Sequence, residues 1–366
     1  MKEFLNDLVL DRTSLVSIEH TYPSDPSKNS TTVILKNQTL DKVTGKLRGT
    51  YLGDVLKELP HGIINKTETG IGATTLELYA LRNSIIVEPL KVTASSKAIK
   101  HGAFYVGSST AFHKKEIKKD DIEAYLSDPL QSPKKFIVVA DSLPRLIKVI
   151  GETVFLEYFI LIDEVDSFQK DSTYRSSMEI CIDYYKSFPK EKRALTTATM
   201  MSFSDPDIIS EPETIIKYKD TTEKPLILLP TQELEGQCFD VISNILGSTE
   251  DKILIAHNNV SGCYNIAENL LKEFAFLNDD IAILCGNTKD NKKKVKSYFN
   301  ELSSEILPKR VNFITSAYFS GFDLKERYHL IMLTSDEAEY SRLSAKNVIQ
   351  ISGRCRDKEG LLSNML

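Results

Sequence analysis

Three short groups of residues have the types and spacing to act on a phosphate. The first is the glycine loop Thr69-Gly70-Ile71-Gly72-Ala73-Thr74-Thr75. The free backbone N–H groups of such a loop, and the start of the helix after it, can cradle an anion. Thr74 or Thr75 can hold a divalent cation. A GxG loop alone is a weak signal, since glycines also mark ordinary turns. Position 73, where a lysine would reach the terminal phosphates of a nucleotide, is alanine. The second group is Asp163-Glu164, delivered by an apolar run and followed by Val165-Asp166. Asp163 would hold a metal directly or through water, and Glu164 would orient or deprotonate an attacking water. Alone, the pair reads as a helix cap; behind a phosphate loop the catalytic reading is the stronger one. The third group is Gln350-Ile351-Ser352-Gly353-Arg354-Cys355-Arg356. Arg354 and Arg356 beside a glycine could stabilise charge growing on a phosphoryl group. The bland alternative is a pair of surface arginines at a helix–loop junction.

These residues need strands to present them. Residues 62–67 read as a strand and 74–81 as a helix, so the glycine loop lies between strand and helix. Strands are expected at 84–87, 104–106, 136–140, 154–162 and 193–197, with helices at 113–126 and 142–150 between them. Strands alternating with helical patterns imply a mostly parallel sheet with helices on both faces. The pattern resets near 221–230, around Pro225 and Pro230. A second series follows, with strands at 252–256, 281–285, 311–315 and 329–334. Its helices are expected at 232–247, 261–274, 291–302 (amphipathic and basic) and 345–351. Another short strand is expected at 226–229. The expected division is a polar N-terminal extension over 1–50 with one short strand at 31–35, a first domain over 51–222 and a second over 223–366. Only 357–366 follows the last motif, so the second domain is expected to be trimmed.

Composition narrows the classes. Hydrophobic residues make up 41% and charged residues 27% of 366 residues, enough for two globular cores. The net charge of -5 gives no global basic field, so contact with nucleic acid must come from local patches. The five cysteines form no CxxC pair and read as free thiols of a reducing cytosol. The histidines show no zinc-binding spacing. No signal peptide and no membrane span is expected, and the expected location is cytoplasmic.

In order, GxGxT, DEVD, TATM and QxxGRxR resemble the motifs of superfamily-two helicases of the DExD/H-box type. The resemblance runs from about residue 60 to 357. Val87-Glu88-Pro89 and Ala140-Asp141-Ser142-Leu143-Pro144 resemble the family's nucleic-acid-contacting motifs, and Thr197-Ala198-Thr199 its domain-coupling motif. In the second half, 253–258 looks like motif four. Leu284-Cys285-Gly286 before a basic helix and Thr315 through Gly321-Phe322-Asp323 are similar to later motifs. The Gly-Arg-x-Arg ending looks closest to viral and phage origin-binding-type helicases.

The resemblance implies two RecA-like α/β domains, with ATP and Mg2+ at an interdomain cleft and hydrolysis moving the protein along a nucleic-acid strand. Catalysis would fall to Glu164, Arg354, Arg356 and Gln350. Nucleotide would be bound by Thr69 to Thr75, Gly321 and Asp323, and metal by Thr74 and Asp163. Thr197, Ala198 and Thr199 would couple the domains. Pro89, Ser142, Gly286 and Thr315 would meet single-stranded or duplex nucleic acid, DNA in preference to RNA. Lys97, Lys100, His113, Lys114 and Lys115, and Lys289, Lys292, Lys293, Lys294 and Lys296, are further candidates for phosphate contact, although a lysine-rich face is usually just solvated.

Ala73 is the main departure. It is either an introduced change or native, with Thr74, Thr75 and backbone N–H groups binding phosphate unaided. Lys66 could stand in, though it reads first as a strand-edge lysine. The rival to an ATPase is an impaired pseudo-helicase that binds nucleic acid or protein. A translocase subunit of a replication or restriction assembly is a third reading.

Overall fold

The computed structural model describes residues 5, 7–10, 15–21, 30–37, 39–40, 47–48, 51–171, 176–220, 225–319, 321–355 and 360–366. The chain divides into two compact units, Met1–Thr221 and Thr222–Leu366.

Beside a two-stranded antiparallel pair, Thr39–Leu40 with Leu47–Arg48, runs of β-branched and aromatic residues in the first unit form one sheet of nine strands. They are β1 (Leu15–Thr21), β2 (Ser30–Leu35), β3 (Gly62–Asn65), β4 (Asn83–Glu88), β5 (Phe104–Val106), β6 (Lys135–Val139), β7 (Tyr158–Ile162), β8 (Arg193–Thr197) and β9 (Glu213–Tyr218). They pair in the order β1-β2-β9-β3-β8-β7-β4-β6-β5. Every pairing is parallel except β1 with β2. Central strands such as β7 are buried along their whole length, as both-face-covered parallel strands are. The helices that concern the site are α1 (Ala73–Tyr79), α2 (Lys91–His101), α3 (Leu143–Ile150) and α4 (Val165–Asp171).

The second unit has six strands: β10 (Lys252–His257), β11 (Ile281–Leu284), β12 (Phe299–Asn300), β13 (Val311–Ile314), β14 (Tyr328–Leu333) and β15 (Leu361–Met365). Their order is β12-β11-β13-β10-β14-β15, all parallel. The helices α5 (Leu234–Ser248), α6 (Val260–Glu273) and α7 (Ala345–Ser352) accompany them. The expected fold class, mostly parallel sheets with helices in two RecA-like units, is the observed one.

Several expectations need correction. Residues 1–50 are not merely an extension. The expected strand at 31–35 is there as β2, but β1 pairs with it and β2 in turn joins β9, so both belong to the first sheet. The apolar run 154–162 is a strand only from Tyr158. Val154–Glu157 is a helical turn closed by Glu157 N–H donating to Thr153 O at 2.9 Å. The helix expected over 113–126 starts at Lys119, because the Asp121 carboxylate accepts from Lys118 N–H at 2.9 Å and caps it there. The basic helix expected over 291–302 is Lys289–Val295. It stops where Lys296 takes a φ of 51°, which lets Phe299–Asn300 turn back as β12. Of the candidate lysines there, Lys292 lies 4.8 Å from the Phe299 centroid and Lys296, just past the helix, 4.7 Å from that of Tyr264. Residues 226–229 make only a bridge, Ile227 with Met365. The tail 360–366 carries a strand, β15, which pairs with β14 in the second sheet.

One buried cation beside β4 should register in stability. Lys135 donates to the Glu77 carbonyl at 2.7 Å and to Ser84 Oγ at 2.9 Å. Burial pushes its pKa down to about 8. The folded-state value lies below the unfolded one, so the unfolded chain binds more protons between pH about 8 and about 10.5, and this group favours folding increasingly across that window. The stability of Lys135→Met relative to the parent should therefore fall between pH 7 and pH 10 in urea unfolding. A pH-independent difference would contradict the assignment.

Candidate nucleotide site

The site gathers at the carboxyl ends of the parallel strands of the first unit, where open α/β sheets bind ligands. β3 ends in Lys66, whose N–H donates to Thr197 O at 2.8 Å, so the strand keeps its pairing to the loop's edge. The glycine loop follows. Gly70 and Gly72 have φ of 80° and 94°. Gly72 is the residue before α1, and its carbonyl accepts from Leu76 N–H at 2.9 Å. A Cβ there would meet Tyr51 at an ordinary 3.6 Å, so φ and not space demands glycine. Ile71 and Ala73 are buried in the core, while Thr69, Thr74 and Thr75 are half-buried.

Asp163 is the centre. Its side chain is 1% exposed, and its backbone N–H donates to Val87 O at 3.0 Å, fixing it at the end of β7. Oδ1 accepts from Lys66 Nζ at 2.7 Å, from Thr196 Oγ1 at 2.5 Å and from the Glu164 N–H at 3.0 Å. Oδ2 accepts from Lys97 Nζ at 3.0 Å and from the Thr74 hydroxyl. Lys66 also lies 3.5 Å from Glu164 Oε1. Lys97, on α2, donates to Glu88 Oε1 at 2.8 Å and stands 3.4 Å from Thr74 Oγ1. Two ammonium groups thus face the carboxylates of Asp163, Glu164 and Glu88.

The ionisation of the group follows from that geometry. Burial alone would raise the Asp163 pKa, but the Lys66 and Lys97 ammonium groups outweigh it and hold the carboxyl well below the usual carboxylate range. Burial pulls both lysines down, and their acidic partners overcome it, so both stay charged. Glu88 has no such surplus: burial pushes it up to about 7 against the pull of Lys97. Its Oε2 is buried with no hydrogen-bond partner.

Glu164 takes a φ of 53°, a left-handed conformation costing a non-glycine residue on the order of 1–3 kcal/mol. Such strain concentrates at working sites. Beyond it, α4 carries Asp166, 1% exposed, whose oxygens accept from Thr197 Oγ1 at 2.6 Å and Thr199 Oγ1 at 2.7 Å. Thr199 N–H donates to Thr197 Oγ1 at 3.0 Å, and Ala198 lies buried between them. The acidic motif thus clamps the TAT motif directly.

The other expected residues lie just beyond strand ends. Pro89 is buried between β4 and α2, and Ser142 precedes α3. In the second unit, Gly286 follows β11, and Thr315 follows β13, its N–H donating to Leu284 O at 3.2 Å. Gly321 has a φ of 87°. Arg354 is buried. Its Nε and one terminal nitrogen donate to the Gln350 carbonyl and side-chain oxygens at 2.9 and 3.0 Å, and the other terminal nitrogen to Phe322 O at 3.1 Å. With Leu324 N–H on Arg354 O at 2.8 Å, this ties the Gly321–Asp323 loop to α7. Arg356 lies outside the described residues. Reading the sequence alone assigned Lys97 to nucleic acid and Glu88 only a place in the Val87-Glu88-Pro89 motif, with no role at the nucleotide site. The available signal was a lysine at a core-facing step of α2, between Thr93, Ala94 and Ala98, which are all buried.

No helix among the described residues is long and apolar enough to cross a membrane, and no cluster of three or more His, Cys, Asp or Glu among them could hold a metal. No protein-family profile matches the chain, nor does any curated protein. Solved structures do match. Mss116p bound to ssRNA and AMP-PNP has a TM-score of 0.55 at 16% identity, over 84% of this chain and 66% of that one. S. cerevisiae Dbp5 bound to RNA and ADP BeF3 has a TM-score of 0.53 at 14% identity, over 84% and 79%. The Mycobacterium smegmatis helicase Lhr bound to ssDNA and AMP-PNP has a TM-score of 0.53 at 14% identity, over 84% and 43%. The chain spans about two thirds of Mss116p and under half of Lhr. At these identities the likeness is one of fold, two RecA-like α/β units along one chain.

Proposed function

We propose that the chain is a nucleic-acid-dependent ATPase working as a helicase or translocase, with ATP bound at the glycine loop and Asp163-Glu164. One observation carries this reading: the loop's Thr74 and the strand-end Asp163 meet on the same carboxylate oxygen, with ammonium groups beside them. That is a phosphate loop and an acidic strand end assembled into one site. Thr74 Oγ1 and Asp163 Oδ2 are hard oxygen donors of the kind Mg2+ takes, and Lys97 already matches positive charge to that spot. These residues fit the ion and would hold it; bound there, it would neutralise charge on the phosphate oxygens.

The chain's own groups do the rest. Backbone N–H groups of the loop bind phosphate. Glu164 orients the attacking water and takes its proton. Asp166, Thr197 and Thr199 carry the state of the site to the end of β8. Pro89, Ser142, Gly286 and Thr315 contact the nucleic-acid backbone, with DNA expected over RNA and binding weakening as salt rises. Gly321, Asp323, Gln350 and Arg354 support the nucleotide side of the second unit, and Arg356 is the arginine proposed to meet phosphate. The Gly-Arg-x-Arg ending favours an origin-binding-type helicase acting within a replication assembly, with a restriction assembly as the other setting.

The test is ATP turnover with Mg2+ in the presence and absence of single-stranded DNA, single-stranded RNA and duplex. Stimulation by nucleic acid is expected. Glu164→Gln should lower turnover by about 10²–10⁴-fold while nucleotide still binds. Ala73 favours a second reading, a non-hydrolysing nucleic-acid-binding module. Nucleic-acid binding without any turnover would select it over the first.

A further inference from the structure

We propose that Lys97, held in place by Glu88, is the phosphate-binding lysine of this site and supplies from α2 the charge that the glycine loop lacks at Ala73. The inference rests on the reading of the site as a nucleotide site and goes beyond it by naming the cation and its positioning residue.

Four observations lead there. First, Lys97 Nζ stands 3.4 Å from Thr74 Oγ1, the residue next to Ala73, so its charge sits where a loop lysine's would be needed. Second, its side chain is 25% exposed while that of Lys66 is 7% exposed. A phosphate chain arriving from solvent therefore meets Lys97 first. Third, the two lysines have different obligations. Lys66 bridges Asp163 and Glu164, a carboxylate pair that needs a permanent counter-charge. Lys97 shares Asp163 with Thr74 but has a second carboxylate of its own in Glu88, at 2.8 Å. When a divalent cation takes Asp163 Oδ2, Lys97 loses one partner and keeps the other, so it remains beside the loop, ready to contact phosphate.

Fourth, Glu88 has little other reason to be where it is. Its side chain is fully buried at the end of β4, and Oε2 has no hydrogen-bond partner. A buried carboxylate of that kind is costly unless it holds a charge in place. Lys97 lies one turn beyond Thr93 and Ala94 on the buried side of α2, so a rigid helix sets its approach. Lys97 is thus a ligand-contacting group, and Glu88 acts through it.

The experiment measures the affinity of a fluorescent ATP analogue with Mg2+, and turnover with nucleic acid, in the full chain. Lys97→Ala should weaken nucleotide binding about 10- to 100-fold, as loss of one charge-assisted phosphate contact does. The double variant Lys97→Ala with Ala73→Lys should recover most of that loss, because the charge returns from the loop. Lys66→Ala with Ala73→Lys should not recover, since the Asp163-Glu164 pair stays uncompensated. Glu88→Gln should raise KM more than it lowers kcat, and Lys97→Arg should keep part of the affinity that Lys97→Ala loses; a merely structural role would move neither ratio. Should Lys97→Ala fold poorly, Lys97→Ala with Glu88→Ala removes both charges together and allows the same reading. If the parent binds nucleotide and Lys97→Ala binds equally well, or if Ala73→Lys fails to rescue it, this proposal is overturned and the nucleotide site stands. If the parent binds no nucleotide, both fall.

Discussion

Asp163→Ala is expected to destabilise the first unit by about 3–5 kcal/mol, the cost of breaking a buried ion pair and leaving its cation alone. The direction is unusual for an acidic residue of a proposed reaction site. Such residues commonly sit in strained or repulsive settings, and removing them often stabilises the fold at the expense of activity. Here the carboxylate is the common partner of Lys66 and Lys97, and it accepts from Thr74 and Thr196 as well. Without it, the 7%-exposed Lys66 ammonium keeps only the longer contact to Glu164. Asp163→Asn retains an acceptor for one of the two hydroxyls but not the charge, so it should fall between the parent and alanine. Urea unfolding followed by circular dichroism measures both. A loss below about 1 kcal/mol, the level of a solvent-screened pair, would show that water reaches the cluster and relieves it.

Asp166→Ala should separate the two acidic positions of the motif. It removes the acceptor for two buried hydroxyls, Thr197 and Thr199. Hydrogen bonds to a charged group contribute about 1.5–3 kcal/mol each, and the pair, sharing one carboxylate, is expected to cost about 2–4 kcal/mol together. Turnover should change in a different way from Asp163→Ala. Asp163, Thr74 and both lysines stay in place, so nucleotide should bind with near-parental affinity. What is lost is the link from α4 to the end of β8 and with it, on the proposed function, the stimulation of hydrolysis by nucleic acid. Comparing basal and stimulated rates in one preparation decides it. Equal proportional loss of both rates would mean that Asp166 serves the chemistry and not the coupling.

Much of this architecture was legible in the sequence because parallel strands buried on both faces are short apolar runs, and because the motifs sit at strand ends. β4, β7 and β8 are of this kind. Legibility failed where local pattern and tertiary role part company. Val154 to Glu157 continues an apolar run, yet it is helical, and periodicity over four residues cannot distinguish the two states. β2 was legible as a short strand, but β1 and the joining of both to the first sheet through β9 were not, since the pairing is set by Glu213–Tyr218, far along the chain. The candidate site shows the same limit. Thr74, Asp163 and Asp166 announce themselves by spacing. Lys97 and Glu88 do not, since their significance comes from α2 and β4 converging on a carboxylate 66 positions from Lys97 in the chain. Arg354 carries the motif's spacing, but its guanidinium turns inward to Gln350 and Phe322, an orientation that no pattern of residue types reveals.

The placement of β2 beside β9 bears on how the chain is made. Their register is parallel, and just past it the Asn37 and Asp220 backbone and side chain exchange hydrogen bonds across 183 residues. A ribosome adding about 5–20 residues per second needs roughly ten to forty seconds to cover that distance. Through that interval the N-terminal strands have emerged while the edge that receives them has not been translated. The first unit therefore closes last at the strands that were synthesised first. Until Glu213–Tyr218 has been made, β2 lacks its parallel neighbour in the sheet.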